Sequence, residues 1–244
     1  MFSTLKLASV YLLLGVPAGI LGIPYSLLIG DIGPLYRLAM RIMRIGVRAA
    51  GIKVEITGLE NVPPGRSCIF MSNHVSNLDP PVLLPLLPGR SSVLLKKELM
   101  NIPVLGTAMR LAKFVPVERG SRRDAAKASV EAAAAALRSG LHILVYPEGT
   151  RSPDGHLAAF KKGPFFLAQQ TGAPIIPIAL SGTQHMMRKG TNAITPGLAH
   201  IHLLPAIESS AYPSREDLMR AVRTAIAHAL PEEMKPADYL TIAL

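Results

Sequence analysis

Hydrophobic and polar positions follow three rhythms along this chain. Leu7 to Gly30 is 24 residues without a charge, enough apolar length to cross a bilayer core as a helix. Gly15, Pro17, Gly19, Gly22, Pro24 and Gly30 interrupt it. Two short helices joined by a bend, dipping into one leaflet, therefore fit as well as a straight span. A secretory leader is disfavoured: only Lys6 precedes the run, no Ala-x-Ala site follows, and the run is too long. A buried core helix is the remaining alternative. From Leu35 to Ala50 the rhythm changes. Arg37, Arg41, Arg44 and Arg48 recur at helical spacing, with Leu38, Ile42, Ile45 and Ala49 one position later. That pattern predicts a basic amphipathic helix suited to an anionic membrane surface.

Beyond residue 50, short apolar runs alternate with longer mixed segments. Strands are predicted at Lys53–Thr57, Ser67–Ser72, Ser92–Leu95, Lys113–Val117, Leu141–Tyr146, Ile175–Leu180 and His200–Leu204. Helices are predicted at Pro80–Leu87, Val104–Ala112, Arg122–Ser139, Pro164–Thr171 and Arg215–Leu230. The alternation implies an α/β fold with a mixed, mostly parallel sheet flanked by helices. Residues 1–50 are expected to form a membrane-associated helical segment and residues 51–244 the globular domain.

Composition sharpens this picture. The 244 residues suffice for one sizeable α/β domain. Mean hydropathy is +0.32, which points towards a membrane. The formal net charge of +10 suits anionic partners such as lipid head groups or phosphorylated substrates. Nucleic acid is disfavoured because no dense basic tract or aromatic platform appears. The single cysteine, Cys68, excludes an internal disulfide and sits within a predicted strand. No Cys/His cluster has metal-ligand spacing.

The chemistry gathers first at Asn73-His74-Val75-Ser76-Asn77-Leu78-Asp79-Pro80. An apolar strand leads into His74, and Asp79-Pro80-Pro81 reads as a helix start. Five residues apart on one helix, the two side chains would diverge, so only a turn brings them together. If it does, the carboxylate fixes the imidazole tautomer and leaves the other ring nitrogen free as a base. Alone, the pair could be no more than a turn histidine and a helix cap. Three later stretches change that: Phe114-Val115-Pro116-Val117-Glu118-Arg119, Tyr146-Pro147-Glu148-Gly149-Thr150-Arg151-Ser152, and Ile175-Ile176-Pro177-Ile178. In this order and spacing the chain resembles the glycerolipid acyltransferases, closest to the PlsC-type lysophosphatidic acid acyltransferases, over roughly residues 35 to 205. Tyr146, where Phe is commoner, and Val117-Glu118-Arg119 in place of Ile-Asp-Arg are conservative departures.

The resemblance implies the glycerolipid acyltransferase fold. It also implies transfer of a fatty acyl group from acyl-CoA or acyl-carrier protein to the sn-2 hydroxyl of lysophosphatidate, giving phosphatidate. No cofactor is expected. His74 would be the base and Asp79 its orienting partner. No nucleophile elbow occurs, so direct transfer is expected without an acyl-enzyme. Arg151, after a strand end, suits bidentate phosphate binding; Gly149 permits close backbone approach, and Thr150 adds a donor. Glu148 is expected to orient Arg151 or meet the acceptor hydroxyl. Arg119 and Lys97 (with Lys96) are further phosphate candidates, Lys161 would face acceptor or membrane, and Pro177 would shape the acyl-donor pocket. The expected location is a membrane, on the cytoplasmic face of a bacterial inner membrane. Competing readings are an acyltransferase acting on glycerol 3-phosphate or another lysolipid, and a membrane-binding protein that keeps the fold without catalysis. A nucleotidase or NTPase lacks support, since no phosphate-binding loop or paired carboxylates appear.

Overall fold

Ile69-Phe70-Met71, Ile143-Leu144-Val145 and Ile175–Ile178 are nearly uninterrupted apolar runs, the signature of strands covered on both faces. In the computed structural model, which describes residues 2–117, 123–188 and 190–236, these runs form the centre of one seven-stranded sheet. Its strands are β1 (Ile52–Thr57), β2 (Ile69–Ser72), β3 (Ser91–Lys96), β4 (Val115–Val117), β5 (His142–Val145), β6 (Ile175–Ser181) and β7 (Gly197–Leu203). The spatial order is β1-β7-β6-β2-β5-β3-β4. Every neighbouring pair is parallel except β6 with β7. The expected mixed, mostly parallel sheet is what forms. All seven strands lie where the apolar runs predict them.

Phe70, Ile143, Leu144, Ile175, Ile176 and Ile178 are fully buried, each contributing roughly 1.5–3 kcal/mol of apolar burial. Edge strand β1 instead alternates between covered and exposed positions, as a half-buried strand should. Helices α6 (Arg123–Arg138), α7 (Gly163–Thr171) and α9 (Arg215–Ala229) pack together against the sheet. Ser214 caps α9, its hydroxyl accepting from the Asp217 amide at 3.1 Å. The predicted helix at Pro80–Leu87 is α4 (Asp79–Leu83) followed by a 3₁₀ turn, Leu84–Leu86. Pro85 lacks the amide hydrogen a longer α-helix would need there, whereas Pro80 and Pro81 fall in the first turn, where no such bond is made. Short helices α5 (Leu105–Leu111) and α8 (Thr183–Met186) complete this part of the chain.

Of the two arrangements expected for the amino-terminal segment, the continuous helix is the one that forms. α1 (Phe2–Val10) and α2 (Val16–Ile29) run on through a π turn at Tyr11–Gly15 as one 28-residue helix. The wider turn lies just before Pro17 and takes up the missing amide without breaking the axis. Gly30, with φ of +68°, ends the helix in a left-handed cap. α3 (Gly33–Ala49) then packs along both α1 and α2. Val47 and Ala50, at its end, belong to the same buried cluster as the central strands.

Candidate active site

Parallel strands β2 and β5 end side by side, and β6 flanks β2 on its other edge and ends in the same direction. Open α/β sheets place ligands at such carboxyl ends. Three segments converge there: residues 73–79 after β2, 146–152 after β5 and 182–187 after β6.

The turn after β2 closes on Asp79. Its Oδ2 accepts from His74 Nδ1 at 2.7 Å and from the amides of Val75 and Ser76 at 2.8 and 2.9 Å. Asp79 is wholly buried, whereas the His74 side chain keeps 13% of its surface. Asp79 is the first residue of α4 rather than its cap. Its carboxylate turns back into the 74–76 turn, where three donors meet. With Nδ1–H donating to a carboxylate, Nε2 carries the free lone pair. The Tyr146 ring stacks on the imidazole, with centroids 4.2 Å apart and planes 24° apart. The Tyr146 hydroxyl is buried without a hydrogen-bond partner among the described residues.

The 146–152 segment grips His74 through its main chain. The His74 amide donates to Glu148 Oε1 at 2.7 Å, and its carbonyl accepts from the Ser152 amide at 2.8 Å. Glu148 Oε2 takes the Ala158 amide at 3.0 Å. Glu148 is thus 2% exposed and spent on two backbone donors. Both of its oxygens thus face backbone donors, those of His74 and Ala158. Burial pushes its carboxyl from 4.5 up to about 7, while the two backbone bonds pull the other way. Gly149 takes a φ of +74°, so the chain reverses there, and a side chain would press on the Lys161 stem. Gly149 and Thr150 are exposed at the mouth and Arg151 is half-buried beside them.

Of the other predicted cations, Lys161 lies against Gly149 and Lys97 sits further out. Lys97 is exposed just after β3, at the same end of the sheet but separated from β2 by β5. Arg119 lies outside the described residues. Pro177 is buried in β6 opposite Met71, and its carbonyl accepts from Leu204. Cys68 is buried, and that burial lifts its thiol to about 11, away from a nucleophile's range. His200 pairs with Glu55 across β7 and β1 at 3.1 Å. A surface hollow of about 420 Å³ between Arg66, Gly89 and His142 lies at the amino ends of β2 and β5, remote from His74.

The acyltransferase family profile matches residues 53–181, just over half the chain and a span that holds the His74–Asp79 turn and the 146–152 segment. The chain belongs to the acyltransferase family. This acyltransferase is 33% identical over 192 residues to a 1-acyl-sn-glycerol-3-phosphate acyltransferase of Borreliella burgdorferi, covering 77% of this chain and 76% of that one. It is 34% identical over 169 residues to the human 1-acyl-sn-glycerol-3-phosphate acyltransferase alpha, covering 69% and 60%. The aligned part spans 66% of the length of the corresponding bovine enzyme. The crystal structure of the 1-acyl-sn-glycerophosphate acyltransferase PlsC from Thermotoga maritima superposes with a TM-score of 0.79 at 27% identity, over 93% of this chain and 92% of that one.

The sequence reading missed Thr183, whose hydroxyl reaches Asp79 at 2.6 Å. A glycine directly after an apolar strand, as at Gly182, was the available signal.

Proposed function

We propose that this protein transfers a fatty acyl group from an acyl thioester, on CoA or acyl-carrier protein, to the sn-2 hydroxyl of lysophosphatidate. The observation that carries this reading is the His74–Asp79 pair, held at 2.7 Å in a turn fastened at both main-chain atoms of His74. An alcohol ionises far above neutral pH, so it needs a base positioned at the attacking oxygen. Nε2 takes the hydroxyl proton as that oxygen adds to the thioester carbonyl. The imidazolium, stabilised by Asp79, then returns the proton to the departing thiolate sulfur. The relatives bearing the 1-acyl-sn-glycerol-3-phosphate acyltransferase name support the choice of acceptor.

Arg151 binds the acceptor phosphate in this reading, with Thr150, Lys97 and Arg119 as further donors. Gly149 keeps the mouth open to the head group. Glu148 acts from below by holding the His74 backbone.

Residues 1–50 form the attachment surface, although α3 is part of the same core as the sheet. The flank of α1 and α2 turned away from α3 leaves Leu13, Leu21 and Leu28 69–85% exposed, an apolar area unlike the surface of a soluble monomer. Thr4 meanwhile bonds the chain at Asn192 and Ile194. A helix tied to the domain near its start and packed on α3 along its length lies in one leaflet rather than crossing both. The exposed row of Arg37, Arg41, Arg44 and Arg48 favours an anionic, cytoplasmic face.

The test is turnover of purified protein with labelled acyl-CoA or acyl-carrier protein against lysophosphatidate, glycerol 3-phosphate and other lysolipids. Lysophosphatidate should give the diacyl product fastest. Arg151→Ala should raise the KM for lysophosphatidate on the order of 10- to 100-fold, as expected for a lost charge-assisted pair, with the donor KM little changed. Arg151→Lys should rescue only in part, since an ammonium cannot form the two-pronged contact. An unchanged acceptor KM would move the phosphate site elsewhere.

A further inference from the structure

The end of β6 and the segment after it are fastened to the histidine turn at three points. Asn73 exchanges two 2.8 Å bonds with the Leu180 main chain, the Ser76 hydroxyl donates to the Met187 carbonyl at 2.9 Å, and the Thr183 hydroxyl donates to Asp79 Oδ1 at 2.6 Å. The first two involve only neutral groups. The third reaches the charged group of the dyad, and both partners are 0% exposed. Asp79 Oδ2 already receives three donors, whereas Oδ1 receives the Thr183 hydroxyl.

We propose that Thr183 is a positioning residue for acyl transfer: its hydroxyl fixes the rotation of the Asp79 carboxylate so that Oδ2 stays in line with His74 Nδ1. This inference rests on the reading of His74 as the base. A carboxylate held by one oxygen alone can turn about its Cβ–Cγ bond. The Val75 and Ser76 amides, which lie on the same side as the ring nitrogen, resist that motion less than a bond at the opposite oxygen does. Burial raises the stakes, because a buried carboxylate oxygen left without a donor carries its full desolvation cost.

The backbone is built to deliver this hydroxyl. Gly182 has a φ of +94°, and a side chain there would meet the Leu198 carbonyl oxygen at 2.2 Å. The strand therefore turns sharply at Gly182, and the next residue points back under Asp79. The apolar-Pro-apolar strand Ile176-Pro177-Ile178 thus acquires a second task besides any contact with the acyl donor: it carries Thr183 to the dyad.

The experiment measures kcat and both KM values for Thr183→Val, Thr183→Ser, Thr183→Ala, Asp79→Asn, the Thr183→Val/Asp79→Asn pair and His74→Ala, with a thermal melt of each. Thr183→Val should lower kcat on the order of 10- to 100-fold, the equivalent of one hydrogen bond to a charged group, while leaving both KM values near wild type. Thr183→Ser should restore most of the turnover. In the Asp79→Asn background, Thr183→Val should cause little further loss, because the group it acts through has gone. If Thr183→Val melts far below wild type, Ser against Ala decides instead: an active Ser and an impaired Ala sustain the role, and two equally active variants overturn it. Near-wild-type kcat in Thr183→Val with an inactive His74→Ala would also overturn it, as would an equal loss in both backgrounds. Retained turnover in His74→Ala would instead sink the base assignment.

Discussion

The histidine turn and the amino-terminal helix treat polarity in opposite ways. At the turn, two carboxylates are buried and each oxygen of Asp79 and Glu148 receives a donor. Along α1 and α2, large apolar side chains from Phe2 to Ile29 face outward, with Leu28 85% exposed. Unpaired, the first arrangement would cost several kcal/mol per charge. In water the second would drive aggregation. Each needs its proper neighbours: a rigid hydrogen-bonded frame for one, an apolar covering for the other. The contrast separates a region whose job is geometry from one whose job is solvent choice.

Substitutions at the frame should cost turnover, and substitutions on the apolar flank should cost attachment. The largest effect is expected at His74. His74→Ala should lower kcat about 10²- to 10⁴-fold, the usual contribution of a positioned base, with the melting temperature and vesicle binding unchanged; wild-type-like turnover would end the contrast. Asp79→Asn should retain more activity than His74→Ala if Asp79 only orients the ring. Glu148 comes next, and its signature is stability. Its carboxyl is raised from 4.5 to about 7 by burial. The folded protein therefore holds that proton more tightly than the unfolded chain, and stability falls as pH rises through this window. Relative to Glu148→Gln, wild type should lose about 3 kcal/mol between about pH 4.5 and 7 and level off above. Parallel urea-melt profiles for the two proteins would show that Glu148 does not titrate there. The smallest effect is on the apolar flank. Leu28→Asn should weaken sedimentation with anionic vesicles roughly tenfold, within the burial value of one leucine, while the melt in detergent and turnover on detergent-dispersed acceptor stay as they were. The remaining binding should fade with added salt, because the arginine row of α3 then carries it.

The apolar runs located every strand, since period and length report burial directly. The His74–Asp79 contact was legible only beside the three later motifs, because alone the pair reads equally as a turn histidine and a helix cap. Glu148 was not. Between Pro147 and Gly149 in a basic motif, a glutamate reads as a partner for arginine. Its real partner, the His74 amide, reaches it only because β5 lies beside β2, and no local pattern encodes strand order. Thr183 was hidden for the same reason, since its value depends on β6 flanking β2 from the other side. The sequence left a continuous helix and a bent pair equally open at α1 and α2, because the glycines and prolines that signal a bend are also compatible with a π turn.

The placement of β1 has a consequence for how the protein is made. Among the described residues β1 pairs only with β7, Ile52 opposite Gly197. Its partner therefore leaves the ribosome about 145 residues later, roughly 7 to 30 s at ordinary elongation rates. Throughout that interval the apolar helix and the arginine-faced helix behind it are already outside, while the strand they lead into has no ladder to join. Nascent chains still on the ribosome should accordingly be found on the bilayer before the sheet can close, with the lipid acting as the first folding partner.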